Sequence, residues 1–199
     1  IDKGYNMIFD FKSTKGDLHD LLTALPPDYA AWVDETEAGG KLLMNAYLKG
    51  KYIVEENIMP DLGFTMQVRD GFISNKNVSS PLNNLYFDFD TKLPSLNTDS
   101  LYANIDSLSF NIDQDYFNAV IKLRNLNKPE MHAAVNSEMD MEKFDKAIGI
   151  SVLDFKGKYK MNFKADGIFL AEVVQKGIRK YDTVITSIPV FSLQSSLSN

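Results

Sequence analysis

Residues 40–50, GKLLMNAYLKG, and residues 157–167, GKYKMNFKADG, are two copies of one pattern. Gly40, Lys41, Met44, Asn45 and Gly50 recur as Gly157, Lys158, Met161, Asn162 and Gly167 at a single offset of 117 residues. A short helical pattern precedes each copy: Asp17 to Leu22 before the first, Asp140 to Phe144 before the second, at an offset of 123. A Pro-led alternating segment follows each. Leu62, Phe64 and Val68 come after Pro60; Phe191, Leu193 and Leu197 come after Pro189, at an offset of 129. A helix–strand–strand unit that recurs belongs to stacked, extended β architectures, in which each unit buries its apolar side with its neighbour's help. The division expected is a first unit over residues 5–128 and an incomplete second unit over 129–199, in a chain cut from a longer one.

The rest of the chain is consistent with this. Tyr5, Met7, Phe9 and Phe11 alternate with Asn6, Ile8, Asp10 and Lys12, as in a strand with one apolar face. Asp17 offers an N-cap oxygen, and Leu18, Leu21, Leu22 and Leu25 share one helical face until Pro26-Pro27. Residues 28–39, with Trp32, Asp34, Glu35 and Glu37, read as a loop or a short second helix. Leu42, Met44, Ala46 and Leu48 form the next apolar face, followed by Leu62, Phe64, Met66 and Val68. Asp70-Gly71 predicts a tight turn, with Phe72-Ile73 opening the return strand.

Leu85, Phe87 and Phe89 alternate with Tyr86, Asp88 and Asp90. Leu101, Ala103 and Ile105 change phase to Leu108, Phe110 and Ile112, which predicts a bulge or turn near Asp106-Ser107. Further alternating runs hold Phe117 to Leu123, Met131 to Met139, and Tyr159 to Ala165. Asp140 caps a second helix with Met141, Phe144, Ala147 and Ile148 on its face. About ten strands and two short helices result. The strands are apolar on one side and polar on the other, the pattern of an antiparallel sheet with one dry and one wet face. The continuous apolar runs and βαβ alternation of a parallel sheet are missing.

Composition narrows the function. The 199 residues carry a formal net charge of -6, which disfavours nucleic acid as a partner. The absence of cysteine excludes disulfides and thiolate chemistry. No run approaches the ~18 apolar residues of a spanning helix. His19 and His132 lack a histidine partner at metal spacing, and neither a phosphate loop nor a nucleophile elbow is present. Asn77-Val-Ser79 fits a glycosylation sequon.

The segment LYFDFDT, with Asp88 and Asp90, is similar to the opening motif of haloacid dehalogenase-type phosphatases. There two such aspartates stand beside Mg²⁺ as nucleophile and acid–base. That family needs a parallel sheet, whereas these carboxylates alternate with Phe87 and Phe89 on an amphipathic strand. A solvated strand face is the expected role, and the chain is expected to be no enzyme and to need no cofactor.

The apolar faces remain. Phe64, Met66, Val68, Leu85, Phe87, Phe89, Ile121, Val135, Met161 and Phe163 form a large set for two short helices to cover. Either the sheet closes over them as a core, or an incompletely covered groove holds an apolar ligand. Methionines would suit an adaptable lining.

Several segments together resemble the AsmA/TamB-like family of bacterial envelope proteins: DLHDLLTALP, GGKLLMNAYLKGKY, MPDLGFTMQVRDGFIS, PLNNLYFDFDTKLP, LYANIDSLSFNI, NAVIKLRNLNKPEMHAAVNSEMDMEKF and DFKGKYKMNFKADGIF. The shared grammar is a strand bounded by glycines, a Pro before an alternating strand, and short helices between strand sets. The resemblance implies a mainly β fold: a long twisted antiparallel sheet, taco-like or a half-barrel, with two short amphipathic helices. It also implies an apolar groove for lipid acyl chains. The full-length protein would then be periplasmic, held in the inner membrane by an N-terminal anchor, and active in lipid transport and outer-membrane biogenesis, with other envelope proteins as possible partners. A non-catalytic structural or protein-binding envelope module with a closed core is the alternative.

Overall fold

The computed structural model describes residues 4–24, 36–76, 80–148, 156–177 and 179–198. In chain order these form β1 (Tyr5–Asp17), α1 (Leu18–Thr23), β2 (Thr36–Tyr52), β3 (Asp61–Asn75), β4 (Leu82–Leu93), β5 (Tyr102–Ile112), β6 (Asp115–Arg124) and β7 (Glu130–Asp140). Then come α2 (Met141–Ile148), β8 (Lys158–Ile168), β9 (Leu170–Gly177), β10 (Lys180–Ser187) and β11 (Val190–Ser198). The chain is mainly β, as the alternating pattern requires. Nine strands make one antiparallel sheet in the order β1-β2-β3-β4-β5-β6-β7-β8-β11, and β9 and β10 form a separate hairpin. Among the described residues neither β1 nor β11 pairs on its outer side, so the sheet they form is open and closes no barrel.

The period-two pattern works because cross-strand partners share a face. Ser13, Met44, Met66, Phe89, Ile105, Ile121, Ala133 and Ala165 stand in register across eight strands, and Phe191 of β11 ends that row. One position along each strand, Asn45, Thr65, Asp90, Asn104, Lys122, His132 and Asp166 form the corresponding row on the other face.

Six and eight residues are too few to hold a helix alone in water. Both helices are fixed by a cap and by packing. The Asp17 carboxylate accepts the His19 backbone N–H at 2.8 Å, and the Asp140 carboxylate accepts that of Glu142 at 3.0 Å. Leu18 then buries against Ala38, Leu42 and Val68. Ala147 and Phe144 pack on Leu82, Phe110, Ile112 and Met139. Both small cores lie on the apolar face, at the same end of the strands.

The two copies of the glycine-bounded pattern occupy matching places. Each of β2 and β8 follows a strand and a capped helix, and each pairs with a Pro-led strand, β2 with β3 and β8 with β11. Register matches as well: Asn45 faces Thr65, and Asn162 faces Gln194. The glycines with positive φ among the described residues are Gly40, Gly50, Gly157 and Gly167, the four that recur at an offset of 117. The offset grows by twelve between Gly167 and Pro189 because the β9–β10 hairpin stands where the first copy has the Ile53–Ile58 bridge turn.

The expected turn at Asp70-Gly71 is a bulge instead. β3 runs through it to Asn75, with register shifts on both sides of Gly71 and a φ of 53° at Asp70. An Asp-Gly pair satisfies a left-handed bulge as readily as a two-residue hairpin. Gly40 crosses here, and a Cβ on it would lie 2.6 Å from Gly71 Cα. The phase change at Asp106-Ser107 is a bulge, seen as a register shift between Ile105 and Leu108. Residues 36–39, read as loop or helix, open β2. Leu25, Pro26-Pro27, Trp32, Asp34, Glu35 and the Asn77-Val-Ser79 sequon lie outside the described residues.

Candidate functional site

The apolar face is unevenly covered. At the helix end, Leu42 and Ile112 are fully buried. Toward the other end of the strands, where short 3-10 turns at Val54–Glu56, Pro94–Leu96 and Thr98–Ser100 connect them, no α-helix among the described residues packs on the sheet, and large side chains stay open: Phe9 is 58% exposed, Ile121 37%, Phe191 54% and Leu193 59%.

The ten residues read from sequence as groove candidates share this face but not one environment. Val68 is sealed in the core beneath α1, where only 2% of it meets solvent. That removes it from any lining. Met66, Leu85 and Phe87 pack against the margin of the same core. Phe64, Phe89, Val135, Met161 and Phe163 are half-buried and Ile121 is exposed, all outside the two helix cores. Rings link them along the sheet. Phe87 and Phe89 stack at 6.2 Å, Phe89 meets Phe64 at 6.0 Å, and Phe163 stacks on Phe191 at 6.3 Å. Four members of this face more open than any of the ten, Phe9, Phe11, Phe191 and Leu193, were not among them. The offset of 129 could have found the last two, because it maps Leu62 and Phe64 onto Phe191 and Leu193.

An open depression of about 460 Å³ lies on the polar face, between Asn118, Val120, Ala134, Asn136, Asn162 and Lys164. Other depressions lie on the polar face, among Lys122, Glu130, His132 and Asp166 and among Asn136, Glu138, Lys160 and Gln194. None is an enclosed cavity.

The polar face is more structured than a simple solvated surface. Asp88 and Asp90 do point away from Phe87 and Phe89, but neither stands free in water. The Arg69 guanidinium donates to the Asp88 carboxylate at 2.7 Å and the Gln67 amide does so at 3.0 Å. Arg69 also lies over the Tyr86 ring, 4.0 Å from its centroid. Beside them Asp90 Oδ1 and Asn104 Oδ1 are buried without a hydrogen-bond donor. Both aspartates thus sit mid-strand in an antiparallel sheet, not at the strand end that a phosphoryl-transfer site on a parallel sheet would use. Among the described residues no group of three or more His, Asp or Glu is placed to hold a metal ion.

His19 is exposed on α1. His132 shares a 2.6 Å contact between Nδ1 and Asp166 Oδ2 on the exposed polar face. The carboxyls with displaced titration are structural. Glu138 bridges Lys158 and Lys160 at 2.9 and 3.0 Å, and hydrogen bonds from those two ammonium groups hold it below its ordinary 4.5. Asp113 is held below 3.8 by Lys143 and by the Ser80 hydroxyl.

No family model, no characterised protein and no solved structure matches this chain. No helix among the described residues is long and apolar enough to cross a membrane.

Proposed function

We propose that this chain is a β-rich segment of an AsmA-like envelope protein, and that its uncovered apolar face carries lipid acyl chains. The observation that carries the reading is the partial covering among the described residues: one apolar face runs across nine strands, and two short α-helices pack on one end of it. A soluble surface rarely keeps so many contiguous apolar side chains without a partner. A linear hydrocarbon chain matches a flat row of Phe, Ile and Val better than a compact polar ligand does. The Gly-bounded, Pro-followed strands support the family resemblance, with units at 5–128 and 129–199 of a longer, periplasmic, membrane-anchored protein. In this reading the aspartates and histidines of the polar face have no chemical role.

Native mass spectrometry of protein purified without detergent tests this. Adducts with acyl-chain masses are expected on wild type and are expected to be lost in Ile121→Asp and Phe163→Asp, with the strand signature in circular dichroism retained. A wild type that never carries lipid, even after incubation with phospholipid vesicles, overturns it and leaves the structural envelope module.

A further inference from the structure

The β9–β10 hairpin is longer than its junction requires. Residues 168–188 connect Gly167 to Pro189, whereas residues 51–59 make the matching connection from Gly50 to Pro60 with twelve residues fewer. Both connections close with the glycine against the proline. The added strands belong neither to the nine-stranded sheet nor to the two helix cores. A 2.8 Å bond from the Phe169 N–H to the Pro129 carbonyl ties their base to the β6–β7 loop. A lone two-stranded hairpin is marginal in water. The first copy's connection stays open although β3 and β4 continue the sheet beside it, with Val54 exposed. Continuation of the sheet past β11 would therefore leave the hairpin open as well.

The two faces of the hairpin differ. Ala171, Val173, Gln175, Tyr181, Thr183 and Ile185 share one face by register, all are exposed, and none is charged. The opposite face carries Glu172 and the 2.7 Å ion pair of Lys176 with Asp182. At the turn, Arg179 and Lys180 are exposed and have no anionic partner among the described residues.

We infer that this hairpin docks on an anionic lipid bilayer, with its uncharged face against the acyl boundary and Arg179 and Lys180 among the headgroup phosphates. Charge selects this occupant. The chain as a whole carries -6, so its bulk is repelled by an anionic surface and only a local basic feature can approach one. The unpaired cations stand at the end of the uncharged face, beside Tyr181. Aliphatic groups that enter the headgroup boundary, a tyrosine that keeps its hydroxyl wet at that level, and cations that meet phosphate make an interfacial segment. A protein partner would be selected by the apolar face alone and would leave the two cations without a role. The inference does not depend on the lipid reading of the large sheet.

Vesicle flotation of the 199-residue chain is the test. Wild type is expected to float with vesicles of phosphatidylglycerol and phosphatidylcholine in equal parts, and to bind phosphatidylcholine alone at least about tenfold more weakly. Salt should weaken the anionic binding. Arg179→Glu combined with Lys180→Glu is expected to weaken it at least about tenfold, and so is Val173→Ser combined with Ile185→Ser. These side chains are exposed, so both variants should keep the wild-type melting temperature and circular dichroism. Replacing residues 168–188 by KYIVEENIM, the sequence of residues 51–59, should abolish flotation and keep the strand signature. All three variants should retain acyl-chain adducts, and Ile121→Asp, which tests the large sheet, should still float. The two readings thus fail separately. A wild type that stays in the soluble fraction overturns the inference and leaves the hairpin face to a protein partner. Flotation unchanged by the charge reversal, or by the Val173 and Ile185 substitutions, overturns it too.

Discussion

Gly167 lies directly against Pro189: a Cβ on Gly167 would stand 3.1 Å from the Pro189 Cα. Gly50 has the same relationship to Pro60, at 3.2 Å, and the two glycines share φ values of 132° and 137°. An L side chain there meets both backbone strain and a neighbour that cannot move aside. Gly167→Ala and Gly50→Ala should each cost on the order of 1–3 kcal/mol. At this chain length that lowers the melting temperature by roughly 2–4 °C per kcal/mol. Gly177→Ala is the control, because its nearest neighbour would be a Lys180 Cβ at 3.8 Å. A control that falls as far as the other two would remove the argument.

The division of the apolar face into sealed and open parts predicts unequal mutational costs. Leu42→Ala empties a fully buried site and should cost about 2–5 kcal/mol. Phe191→Ala removes an exposed ring and should change stability by less than about 1 kcal/mol. Urea unfolding measures both. Similar losses in the two variants would mean that the open end is as tightly packed as the helix end.

Asp88→Asn keeps the Gln67 contact and leaves Arg69 without its anionic partner. The pair is partly exposed, at 22% and 29%, so a cost of about 1 kcal/mol is expected. Retention of acyl-chain adducts by this variant is also expected, because Asp88 lies on the face opposite Phe87. Mg²⁺-dependent phosphomonoester hydrolysis that disappears in Asp88→Asn would point to catalysis on the polar face.

Acid should weaken the helix end of the sheet. Hydrogen bonds from Lys158 and Lys160 hold Glu138 below 4.5, and those from Lys143 and Ser80 hold Asp113 below 3.8. A carboxyl with a depressed folded-state value stabilises the fold above its unfolded-state value and loses that contribution as pH falls through the folded one. The melting temperature should therefore be level from neutrality down to about pH 5 and fall as pH drops through and below the ordinary carboxylate range. Glu138→Gln should flatten part of that fall. An unchanged profile in that variant would show that other groups govern it.

Period-two alternation made the strands legible, since one buried face leaves its mark on every second residue. Phe87 and Phe89 fell on the apolar side for that reason. The helices were legible through Asp17 and Asp140, whose caps announce themselves two residues before the bonded N–H. Asp70-Gly71 was misread because positive φ suits a bulge and a turn equally, and only the partner strand tells them apart. The Arg69–Asp88–Gln67 contacts depend on which residues stand opposite one another, and alternation within each strand leaves that register open. For the same reason Val68 and Phe163 looked alike in sequence, although one lies under α1 and the other does not.

Strand order in the large sheet follows chain order, with only the β9–β10 hairpin intervening before the last strand. Each pairing therefore closes a modest loop, and its entropic cost is low and similar from strand to strand. Assembly can proceed like a zip fastener, each new strand docking on the one before it. The same linear order means that opening starts from the outside: amide hydrogens of β1 and β11 should exchange first, and those of the middle strands last.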